Sequence, residues 1–253
     1  MALDYLETLQ KIDNECANFY DWVARAFFQE GKSKTCTVPD FYEREDYVQR
    51  LKPIEACMHI CKTLNLQVFG TTDNRAFEES LTSLRNNPDI EELEGFRLAI
   101  NMVRGYFAIV RDSIMVFCAS FDEEERLRIN EAVHNYLERC NYSCIAMSVS
   151  AVESRLLRLM CTANPAAEEE LSKGTLGRLI TEYVSDKGKY RNVVPKRHET
   201  LLQLCNTYRV FSVHPKRHRI SHQVTTSIFN LSLEFLTDPN TKVDTPTDGN
   251  SPS

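Results

Sequence analysis

The sequence predicts an all-α protein, with a four-helix bundle in the C-terminal half and a further helical region before it. Apolar residues recur at three- and four-residue spacing along most of the chain. Alternation of the kind that marks strands is scarce, and only eight glycines punctuate 253 residues. The 42% hydrophobic content suits a globular protein. No run of about 18 apolar residues occurs, so no membrane span is expected. The first residues, "MALDYLETLQKIDNE", lack the apolar core of a secretion signal, and a cytoplasmic location is expected.

The first helix is predicted from the stripe Leu6, Leu9, Ile12, Cys16, Phe19 and Val23. "EGKSKTCTVPD" breaks it. A second helical stretch follows, with Pro53 near a helix start and Gly70 after its end. "RNNPD" at 85–89 reads as a turn, and "IEELEGFRLAINMVRGYFAIVRDSIMVFCAS" as a third helix. At "SFDEEERL", Ser120 and Glu123 have capping-box spacing, and the acids suit a helix N-terminus. Helical pattern then runs to about Met160, with a bend near Asn141. "GTLGRLITEYVSD", "ETLLQLCNTYRVFSV" and "VTTSIFNLSLEFL" are helices. "KGKYRNVVP" and "HPKRHRIS" are loops, Pro215 disfavouring helix just before it. The expected organisation is a helical region over 1–119, a bundle over 120–237 and a disordered polar tail over 238–253.

Nine cysteines suit a reducing compartment, where most pack as small buried hydrophobes. Cys57 and Cys61 bracket His59 in "CMHIC", and Cys140 and Cys144 stand in "CNYSC". Both pairs have i,i+4 spacing, which would put each on one helix face. Zinc sites use tighter spacing with loops, so core packing is expected and no metal or other cofactor is assigned.

The charge is uneven. The whole chain carries −6. From Lys187 to Arg219 there are nine Lys or Arg against Glu199 alone, so this window is +8 and the remainder −14. Four of the six histidines, His198, His214, His218 and His222, lie in or just past it. A basic patch on an acidic protein points to an anionic ligand, with phosphate foremost. Arg offers a permanently charged fork for phosphate oxygens. His exchanges protons near neutral pH. Together they suit metal-free RNA cleavage: a base assists attack by the 2′-hydroxyl, an acid protonates the leaving oxygen, and a cation stabilises the transition state.

In "SAVESRLLRLM", "GTLGRLI" and "LLQLCNTYRVFSVHPKRHRISHQVTTSIFNLSLEFL" the chain resembles the core helices of the HEPN superfamily. The resemblance covers roughly 120–237. It implies an all-α, homodimeric, metal-independent endoribonuclease, whose motif is an Arg followed after four to six residues by a His. The motif also matches at Arg191 to His198 and at Arg217 to His222. Arg209 and His214 stand at a helix end, with a closing helix at the right distance, and are assigned the catalytic roles. Lys216, Arg217 and His218 are assigned to substrate binding, with Glu153 as the partner of Arg209. The family favours Asn, Asp or His after the Arg. Val210 stands there, whereas His218 follows Arg217, so the Arg217–His222 frame stays open. Expected partners are RNA or a nucleotide, a second copy of the chain, and a regulatory protein bound through residues 1–119. A role in defence or stress is expected. Two other readings remain open: an inactive RNA- or nucleotide-binding module of the same fold, and a helical protein-interaction domain.

Overall fold

The computed structural model describes residues 4–30, 45–68, 79, 82, 84, 93–184, 190, 193–213 and 219–243. All long elements among them are helices, and none is a strand. The chain divides into two compact units, Met1–Ala119 and Ser120–Ser253.

The N-terminal unit contains α1 (Tyr5–Gln10), α2 (Ile12–Glu30), α3 (Glu45–Val68) and α4 (Leu93–Cys118). Asp4 caps α1, accepting the Glu7 N–H at 2.8 Å. Lys11 interrupts the helix for one residue, but the stripe runs on, and Leu6, Leu9, Ile12, Cys16, Phe19 and Val23 are all buried. Phe19 packs between Tyr47 of α3 and Phe96 of α4, at ring separations of 5.3 and 5.5 Å. A buried side chain of this size contributes about 1.5–3 kcal/mol. Asp13 of α2 pairs with Arg104 and Arg111 of α4, at 3.4 and 3.2 Å. Pro53 lies inside α3, eight residues past its start, and not near a helix start. Of the expected loop "EGKSKTCTVPD", Glu30 ends α2, and residues 31–40, Gly70 and the turn at 85–89 lie outside the described residues.

The C-terminal unit contains α5 (Glu123–Leu137), α6 (Asn141–Ala163), a short α7 (Glu168–Ser172), α8 (Leu176–Val184), α9 (Glu199–Val213) and α10 (His222–Thr237). α6 is the central helix, and α5, α9 and α10 pack on it. Arg139, with a left-handed φ of 56°, turns the chain out of α5 into α6. The capping box that starts α5 uses Asp122 and Glu125, not Ser120 and Glu123. Residues 238–243 are not a disordered tail. Asp238 and Thr241 are buried, and Pro239–Thr241 forms a 3-10 turn. Residues 244–253 lie outside the described residues.

Candidate functional site

Leu201, Leu202 and Cys205 anchor the first half of α9, and nothing beyond Cys205 on this helix is buried. Arg209 therefore emerges near the bundle surface. Its Nη2 lies 3.2 Å from Oε2 of Glu153 on α6, with the two side chains 29% and 17% exposed. Ser212 donates its hydroxyl to the Arg209 carbonyl at 2.8 Å, closing the last turn of α9. Tyr208 and Phe211 meet edge to face at 5.8 Å. Of the assigned residues, Arg209 and Glu153 are thus brought together. His214, Lys216, Arg217 and His218 lie outside the described residues. Val213 and Arg219 mark where the chain leaves and re-enters the described structure.

At the entry to α10, Ser221 caps the helix, accepting the Val224 N–H at 3.3 Å. The next residue is His222. Asn141, at the start of α6, donates its amide to the Ile220 carbonyl at 3.1 Å. That bond fixes which end of the amide is oxygen, and Oδ1 lies 3.2 Å from Nδ1 of His222. A carbonyl oxygen accepts only, so Nδ1 carries the proton and the neutral ring keeps its lone pair on Nε2. The ring stacks on Tyr136 at 4.8 Å. Tyr136 is itself held by Phe229, 5.3 Å away, and by a 3.0 Å contact with the Thr226 hydroxyl. His222 is therefore an oriented imidazole with a proton-accepting nitrogen.

These two features occupy different levels of the bundle. Glu153 lies twelve residues along α6 from Asn141, which is about 18 Å of helix rise. The Arg209 guanidinium, drawn toward Glu153, is far up the bundle from the His222 ring.

Two buried polar clusters escaped the sequence reading. Arg155 is 1% exposed. It binds Glu125 in a bidentate pair at 2.7 and 2.6 Å and donates to the carbonyls of Leu236 and Thr241 at 3.0 Å each. Its Nη2 also donates to the Ser120 carbonyl. Arg158 joins Asp122 at 2.8 Å and also reaches Glu125. Burial pushes the Glu125 carboxyl up, but Arg155 and Arg158 reverse this and leave it below its ordinary range. In the second cluster, buried His198 donates Nε2–H to Asp238 at 2.6 Å, and Arg197 pairs with the same carboxylate. The His198 ring meets Phe235 edge to face. A histidine so enclosed has no path to a substrate, which removes the Arg191–His198 frame. Both clusters tie the segment after α10 to the bundle. The signal for Arg155 was present, because it sits between Val152 and Leu159 on the apolar stripe of α6.

Among the described residues Cys16, Cys57, Cys61, Cys118, Cys144 and Cys205 are buried and behave as core. Burial pushes the Cys16 and Cys144 thiols up to about 12, and raises Cys57 and Cys61 as well. Such thiols are poor ligands and nucleophiles, because the thiolate is the reactive form. Cys140 and Cys144 do not share a helix face. Cys140 is the exposed residue before α6, and Cys144 is buried inside it. Among the described residues no three His, Cys, Asp or Glu come together as metal ligands. No helix among them is long and apolar enough to cross a membrane. No protein-family model matches the chain, and no curated protein or solved structure matches it either.

Proposed function

We propose that the C-terminal unit is a metal-independent endoribonuclease of HEPN type, acting as a homodimer in the cytoplasm in a defence or stress response. One observation carries the reading most. Arg209 stands in the last turns of α9, held by Glu153, five residues before His214 in the basic stretch of sequence that precedes the closing helix. In this reading Arg209 holds the scissile phosphate and stabilises its developing charge. His214 takes the proton of the 2′-hydroxyl, whose oxygen then attacks phosphorus. The bond to the 5′-oxygen breaks, and that oxygen receives a proton in turn. Lys216, Arg217 and His218 bind flanking phosphates. The N-terminal unit is where a regulatory protein would act.

The test is incubation of the pure chain with mixed RNA, with and without EDTA, against His214→Ala and Arg209→Ala. The expected product carries a 2′,3′-cyclic phosphate and forms equally well in EDTA. A second reading has its own support. The Arg209 charge is already met by Glu153, which suits a module that binds RNA or nucleotides without cutting. RNA binding with no cleavage in any of these samples would establish that reading.

A further inference from the structure

α4 buries one row of side chains in its own unit, including Phe96, Ile100, Val103 and Phe107. On the opposite side it carries a second apolar row. Leu98 is 64% exposed, Ile109 83%, and Met102, Met115 and Val116 are also exposed. Leu98, Met102, Gly105, Ile109, Asp112 and Val116 follow one another at alternating spacings of four and three. This is the spacing of a helix-pairing seam.

Gly105 stands in the middle of that seam. A Cβ built there meets no atom within 4 Å, and the backbone is ordinary helix. Among the described residues nothing requires a glycine there, and a glycine inside a helix is less stable than an alanine. What it provides is a notch on an exposed apolar face. Ile109, the most exposed large apolar side chain among the described residues, lies one turn away.

The geometry points to α4 as the face on which a second copy of this chain docks. The two α4 helices run antiparallel about a two-fold axis, each Ile109 seated in the notch at Gly105 of the other copy. A two-fold interface must be self-complementary, and this single register satisfies that. It sets Leu98 against Val116 of the other copy at both ends, and it places Asp112 beside Met102 and Asn101, whose amide can meet the carboxylate. The parallel arrangement sets the two glycines on each other, leaving a void, and opposes two Asp112 carboxylates. The seam from Leu98 to Val116 is about 27 Å long. A strip of that length is at the small end of specific interfaces, so association in the micromolar range is expected. The inference does not depend on RNA cleavage.

The test is light scattering on the full chain over roughly 1 to 100 μM. Wild type should show a monomer–dimer equilibrium. Gly105→Leu fills the notch while improving helix propensity. It should keep or raise the thermal midpoint at low concentration and weaken the dimer at least tenfold. Ile109→Glu should abolish the dimer. Met102→Lys, facing Asp112 of the other copy, should tighten it. A wild type that stays monomeric throughout would overturn the inference. So would a dimer that is unchanged in both Gly105→Leu and Ile109→Glu but lost in Lys216→Glu/Arg217→Glu. Weakening by Met102→Lys would overturn the antiparallel register.

Discussion

Glu153 on α6 holds Arg209 on α9 at 3.2 Å, and Glu153 is the more covered of the two. The pair joins the central helix of the bundle to the helix that leads into the basic loop. In the proposed function it also sets a competition, because the charge that would be offered to a phosphate is the charge already offered to Glu153.

Glu153→Gln should release that charge. RNA affinity is expected to rise several-fold at low salt, and the log–log salt slope to steepen by about 0.7–0.9, the amount for one further phosphate contact. The bundle should lose only about 0.5–1 kcal/mol, as expected of a partly exposed pair. Fluorescence anisotropy across a salt series and urea unfolding read the two effects. An unchanged slope would mean that Arg209 does not face the nucleic acid.

Arg155→Met should cost about 3–5 kcal/mol, because it strips a buried carboxylate of its bidentate partner. It also removes the donors to the carbonyls of Leu236, Thr241 and Ser120. This loss is a large part of the 5–15 kcal/mol typical of a domain. Glu124→Gln, one residue from Glu125 but 62% exposed, should shift stability by less than about 0.5 kcal/mol. Urea midpoints for the two variants give the comparison.

The arginine also shows what the sequence concealed. The stripe from Leu6 to Val23 was legible because burial there follows the helical period alone. The bounds of α9 and α10 were legible because turn residues and Pro215 mark them. Glu125 stands thirty residues before Arg155, and no local pattern links them. For the same reason the capping box was misplaced. Ser120 with Glu123 and Asp122 with Glu125 have the same spacing, and the arginines that grip Glu125 coincide with the second. Pro53 looked like a helix start because proline suits the first turn, yet packing on both sides carries α3 through it. The Glu153–Arg209 contact was readable, since Glu153 stands with Val149, Leu156, Leu157 and Met160 on an apolar stripe, where a carboxylate is costly unless paired. His198 was read as part of a basic window and of one match to the Arg–His motif. Its burial depends on Asp238, forty residues on.

Acid should destabilise the C-terminal unit through Asp238 and Glu125. Burial pushes the Asp238 carboxyl up, but Arg197, the Asn240 N–H and His198 reverse this and hold it well below the usual carboxylate range. Both groups thus have a lower pKa folded than unfolded. Their stabilising effect is present above the unfolded values of about 4 and is lost as pH falls through the folded ones. Urea midpoints should be level from pH 7 to about 5 and decline below that. Asp238→Asn should lower the midpoint at pH 7 and flatten the acid limb. An acid limb of wild-type steepness in that variant would remove Asp238 from the account.

The last prediction separates the two motif frames, whose described members Arg209 and His222 contact α6 at different levels. His222 is fixed by Asn141 and Tyr136 with Nε2 as its proton-accepting atom, a suitable arrangement for a base. Yet Arg209 is drawn toward Glu153, about 18 Å of helix rise from the level of Asn141. A base must reach the 2′-hydroxyl while the cation holds the adjacent phosphate, and those groups lie within a few ångströms of each other. Arg209 therefore needs a histidine nearer its own end of the chain path, and His214 is five residues away. His214→Ala should lower kcat by about 10²–10⁴, the range for a proton-transfer group. It should leave RNA binding within about threefold, since such a group acts mainly in the transition state. His222→Ala should leave kcat within about threefold and lower stability modestly, through the lost stacking on Tyr136. Single-turnover cleavage with each variant at saturating protein decides between them. The reverse result, with His222→Ala inactive and His214→Ala intact, would transfer the chemistry to Arg217 and His222. Asn141 would then become the residue that sets the tautomer of the base, and Asn141→Leu should reproduce most of the loss seen in His222→Ala.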